Sequence, residues 1–100
     1  MLSGNNILGC VSLVPEYNLL SFDELCSDKG MLILTDVRDC KKAARALDLK
    51  HTLNGPSMNH DLWPKGCFWT TYPYGEDEVL FNIHHTGKRS DDGKPICRTG

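Results

Sequence analysis

The chain has 100 residues, a formal net charge of -2, 24% charged residues and five cysteines, which bounds it to one small domain. The near-zero charge excludes a nucleic-acid binder that works through a basic stripe, and the ordinary charged fraction excludes wholesale disorder. The longest apolar run, Met31-Leu32-Ile33-Leu34, falls far short of the roughly 18–20 residues of a membrane span.

Residues 1–25 read as an irregular apolar arm. Leu8, Val11, Leu13 and Val14 precede Pro15; Leu19, Leu20, Phe22 and Leu25 follow it with no clear period. So much apolar surface must pack on something, either its own domain or a partner. Ser27-Asp28-Lys29-Gly30 predicts a turn, and Met31–Leu34 a short buried strand. Thr35 is the expected N-cap of a helix over about 36–48, with Asp36 and Asp39 at its positive end. Val37, Cys40, Ala44 and Leu47, with Ala43 beside them, recur at helical steps and mark one apolar stripe. Arg38, Lys41, Lys42 and Arg45 lie off it, as a solvated face.

Residues 49–65 predict a loop, through Asn54-Gly55-Pro56 and Asn59–Pro64. Gly66–Thr71 has the aromatic and β-branched content of a strand. The turn Tyr72–Asp77 would join it to Glu78–His84 as an antiparallel hairpin, about 66–84 overall. Thr86–Pro95 reads as a polar loop, closed by Ile96-Cys97. The expected fold is α+β, one helix on a short antiparallel sheet, with an arm over 1–25 and a disulfide-stabilised module over 26–98.

Cys10, Cys26, Cys40, Cys67 and Cys97 contain no CxxC pair, which argues against a zinc knuckle or a thioredoxin-type site. Spacings of 14, 27 and 30 residues between the last four suit long-range crosslinks, and a small domain gains from them. An oxidising compartment is therefore expected. A helix-to-hairpin bridge would be Cys40–Cys67, leaving Cys26–Cys97. Four cysteines allow three pairings, and the sequence does not choose among them. The odd cysteine is assigned to Cys10, in the arm. Met1–Pro15 lacks the basic start and unbroken apolar stretch of a secretory leader, so an exported protein is expected in trimmed form. No Asn-x-Ser/Thr acceptor occurs.

No catalytic set is apparent, and neither metal nor cofactor is expected. His84 and His85 are adjacent on the expected strand and should face opposite sides. His60-Asp61 could offer a ligand pair, but no spacing announces the three or four ligands zinc takes. Adjacent acids such as Asp23-Glu24 and Asp91-Asp92 fit solvated surface. There is no phosphate loop and no nucleophile elbow. Phe68 and Trp69 should point to opposite faces of their strand, one of them to the core.

In order, Cys40-x-x-Ala43-Ala44, Pro64-x-Gly66-Cys67-Phe68, Phe81-Asn82 and Ile96-Cys97 resemble a small four-cysteine module of exported or organellar algal proteins, of the dinoflagellate type. The likeness covers about residues 26–98 and takes in Cys26 as the fourth cysteine. The resemblance implies an oxidised core and no particular reaction.

The combined expectation is a non-enzymatic accessory or structural subunit, or interaction module, of a larger assembly. The thylakoid lumen of an alga, beside a photosystem and its antenna, is the setting considered. Protein subunits are the expected partners, with no nucleic acid and no membrane span of the chain's own. Candidate contacts are Leu13, Leu19, Leu20, Phe22, Trp69, Tyr72 and Tyr74. The alternative is a carbohydrate-binding module of a secreted protein, with a glycan as partner.

Overall fold

The computed structural model describes residues 16–50, 53, 57–71 and 75–99. Cys10, Leu13, Tyr72 and Tyr74 lie outside them. In chain order the elements are β1 (Tyr17–Leu19), a 3-10 turn (Cys26–Lys29), β2 (Leu32–Ile33), α1 (Val37–Ala46), β3 (Gly66–Thr70), β4 (Glu78–Asn82) and β5 (Gly93–Arg98). The five strands form one antiparallel sheet. The α+β class, the helix and the hairpin stand as the sequence implies.

Helix α1 buries Cys40, Ala43 and Ala44 and turns Arg38, Lys42 and Arg45 outward. Its cap is Asp36, one residue later than Thr35: the Asp36 carboxylate accepts the Arg38 N–H at 2.8 Å. The Arg38 guanidinium folds back onto the same carboxylate, with Nη2 at 2.8 Å. At the other end the Leu49 N–H bonds the Ala44 carbonyl and the Asp48 N–H bonds Arg45. Asp48, at φ 56°, takes the left-handed turn usually left to glycine.

Strand β5 is the centre of the sheet. One edge pairs with β1, Leu19 opposite Ile96 and Tyr17 opposite Arg98. The other edge is divided between β2, opposite Cys97 and Arg98, and β3, opposite residues 93–95. The irregular arm expected over 1–25 therefore does not hold for its later part. Tyr17–Leu19 is a strand, and the Leu20 and Asp23 N–H groups bond the Pro95 and Ser90 carbonyls. Three residues are too few to show a period. The polar loop expected over 86–95 likewise ends early, because 93–95 already pair with β3. Strand β2 departs from its buried reading too: Leu32 and Ile33 are exposed and only Leu34 is buried.

Alternation along the strands separates two layers. Cys67, Trp69, Val79, Phe81 and Ile96 belong to the α1 side, where they form a core with Leu34, Cys40, Ala43, Ala44 and Leu53. Phe68, Thr70, Asn82 and Cys97 belong to the opposite side. There Trp63 stacks on Phe68 with ring centroids 5.3 Å apart. Each layer carries one disulfide: Cys40–Cys67 ties α1 to β3, and Cys26–Cys97 ties the 3-10 turn to β5.

Gly66 shows why the Pro-x-Gly-Cys segment contains glycine. Its φ is +85°, and a Cβ there would lie 2.7 Å from the Leu34 carbonyl oxygen. The loop over 57–65 is held on its layer by the buried Asn82 amide. Oδ1 accepts the His60 and His84 N–H groups at 3.0 and 3.1 Å, while Nδ2 faces the His60, Trp63 and Pro64 carbonyls at 2.8, 3.1 and 3.1 Å.

A fully buried Phe68, Leu34, Ile96 or Val79 side chain gains about 1.5–3 kcal/mol each. Crosslinks that close loops of these lengths contribute about 3–5 kcal/mol each in the chain-entropy model. Intact mass should therefore show the oxidised chain lighter than the reduced one by four hydrogens, two for each bridge. Cys40→Ala combined with Cys67→Ala should lower Tm by about 10 °C or more in a thermal melt. Asn82→Leu removes the side-chain partner of five buried or part-buried backbone groups, of which the Trp63 carbonyl keeps the Lys88 N–H, and should cost about 3 kcal/mol or more in urea unfolding. Asn82→Asp should fare no better, since it points a carboxylate at three carbonyl oxygens.

The helix cap carries a pH signature. The Arg38 side chain, and then its backbone N–H, hold the Asp36 carboxyl at about 2 against an ordinary 3.8. A depressed acid stabilises above its unfolded value and loses that contribution as pH falls through the folded one. The cap should thus be intact above about pH 4 and released between about 4 and 2. Carboxyl NMR should give a midpoint near 2, and Arg38→Ala should move it back towards 3.8.

Candidate interaction surface

Helix α1 contacts β3 and β4. On the same face, the half built from β5, β1 and β2 stays partly open. Leu19 opposite Ile96, and Leu32 opposite Arg98, are 37% and 45% exposed there. Phe22, 40% exposed, follows β1 on the segment that bonds Pro95. Its ring lies 6.2 Å from Trp69. Lys94, opposite Trp69 on β5, places Nζ 4.9 Å from the centroids of both rings.

This geometry brings together Leu19, Phe22 and Trp69 of the candidate contacts; Leu20 is half-buried beside β5 through its N–H bond to Pro95. Leu13, Tyr72 and Tyr74 lie outside the described residues. Lys94, which completes the cluster, sits in a stretch that reads as loop, so its place opposite Trp69 had no signal in the sequence. Neither Phe68 nor Trp69 is left bare: Phe68 is fully buried, and Trp69 is half-buried under Lys94 and Phe22. Among the described residues, neither Lys94 nor Arg98 has a carboxylate partner. A cation over aromatic faces, flanked by exposed leucines, suits an apolar surface that carries acidic groups.

On the opposite layer an open cleft of about 610 Å³ lies between the Trp63 loop and residues 88–92. The second wall is fixed by the Lys88 N–H on the Trp63 carbonyl at 2.9 Å and the Thr70 hydroxyl on the Asp92 carbonyl at 2.6 Å. Arg89 pairs with Asp28, which ties this wall to the 3-10 turn. Arg89, and then the Leu25 N–H, hold the Asp28 carboxyl below its ordinary value. Gly87 makes the approach of the two loops feasible, since a Cβ there would meet the Lys65 backbone nitrogen at 2.4 Å.

The histidines are not arranged as a strand would place them. Strand β4 ends at Asn82, and the His84 and His85 rings stack with centroids 4.7 Å apart. The cause is local: His84 Nδ1 accepts the Thr86 and Gly87 N–H groups and turns the chain. His60 Nδ1 accepts the Leu62 N–H and lies 3.8 Å from Asp61. Among the described residues no group of three or more His, Cys, Asp or Glu side chains could hold a metal, and no helix is long and apolar enough to cross a membrane. The chain matches no family model, no curated protein and no solved structure.

Proposed function

We propose that the chain is a non-enzymatic interaction module, an accessory subunit held in a larger assembly through the open half of its helix-side face. The observation that carries this reading is the Phe22–Trp69–Lys94 cluster beside exposed Leu19 and Leu32. The fitting occupant is a protein segment that brings apolar side chains to the leucines and carboxylates to Lys94 and Arg98. Two disulfides are compatible with an oxidising compartment. With the algal-module resemblance, they support the lumenal side of an algal photosystem–antenna complex, in the thylakoid lumen, as the setting to test first.

The test uses a tagged chain expressed in an alga and native electrophoresis of its complexes. The unaltered chain should migrate with an assembly. Phe22→Ala and Lys94→Glu should each weaken that association tenfold or more, about the loss of one interface hot spot, with circular dichroism unchanged. A monomer throughout, or variants that stay assembled, would reject the reading.

A further inference from the structure

We infer that the cleft beside Trp63 is a binding site for a neutral carbohydrate, separate from the helix-side surface. Its volume, about 610 Å³, falls within the roughly 300–1,000 Å³ of small-molecule sites. The lining is set before any ligand arrives. Asn82 fixes the His60–Pro64 segment through its carbonyls, and Thr70 and Ser90 fix Asp92.

The chemistry of the lining selects the ligand class. Trp63, stacked on Phe68, and Leu62, 55% exposed, supply apolar surface for the C–H faces of a sugar ring. Lys88 and His60 offer donors, while Asp23, Asp91 and Asp92 offer acceptors. An anion would meet three carboxylates, and a cation would meet Lys88 and the Arg89 guanidinium that pairs with Asp28. The acids do not converge as metal ligands among the described residues. A molecule whose hydroxyls both donate and accept, with no net charge, satisfies such a mixed lining. An extended peptide fits less well. It is normally held through free backbone groups, and the Trp63, Ser90 and Asp92 carbonyls here are already used within the fold.

The experiment is an NMR titration of the oxidised, ¹⁵N-labelled full chain. The neutral probes are maltotriose, cellotriose, mannotriose and tri-N-acetylchitotriose. Trigalacturonate, triglycine and calcium chloride serve as the anionic, zwitterionic and cationic comparisons. At least one neutral sugar should give saturable shifts of the Trp63 indole N–H and of the Lys88–Asp92 amides by about 10 mM, with the Trp69 indole unmoved. Asp91→Ala and Leu62→Ala, both at exposed positions, should keep the remaining spectrum and weaken binding by about tenfold. Four silent neutral sugars, shifts confined to a charged or zwitterionic probe, or variants that bind unchanged would each overturn the assignment. The helix-side surface takes no part in this titration, so a negative result leaves the accessory-subunit reading standing.

Discussion

Pairing along β5 is the constraint on which the sheet depends. Both of its edges are occupied, by β1 on one side and by β2 and β3 end to end on the other. The strand also delivers Ile96 to the helix-side core and Cys97 to the opposite layer. A proline inside so central a strand needs a reason, because it removes a ladder donor. Residue 95 directs its carbonyl to the Leu20 N–H, so its nitrogen faces the same edge, just where the chain leaves β1. The missing N–H therefore falls where β1 has ended, and pairing with β3 is untouched.

How much of this was legible follows from where periodicity has room to appear. The α1 stripe spans three turns, and Cys40, Ala43 and Ala44 are buried as it requires. The hairpin spans five paired residues and showed itself through aromatic and β-branched content. Strands β1 and β2 have three and two residues, too short for any pattern, and they exist because β5 lies between them. Gly93 and Pro95 look like loop residues for local reasons. Tertiary pairing overrode those preferences, and Gly93 fits because Phe68, Pro64 and Trp63 crowd it.

The candidate surface was half legible for the same reason. Phe22 and Trp69 could be singled out as bulky residues in suspect segments, but only the register of β5 against β3 brings Lys94 over both rings. The cleft was not legible. Its walls come from residues 60–63 and 88–92, both of which read as surface loop. What joins them is Asn82, whose five contacts organise one wall, and Thr70, whose hydroxyl anchors the other. Buried polar residues closing the two hairpin strands, Thr70 and Asn82, are the trace this arrangement leaves in the chain.

The two bridges are nested: the span of 27 residues between Cys40 and Cys67 lies wholly inside the span of 71 between Cys26 and Cys97. For a chain that emerges amino end first, this sets an order of oxidation. Cys26 is followed by Cys40 well before either native partner arrives, so a short, wrong loop competes early. Helix α1 opposes it by turning Cys40 towards the core that Cys67 enters. Cys26 must then wait for the last strand. Chains interrupted before residue 97 thus lose the outer bridge and the centre of the sheet together, and leave the Cys26 thiol without its native partner.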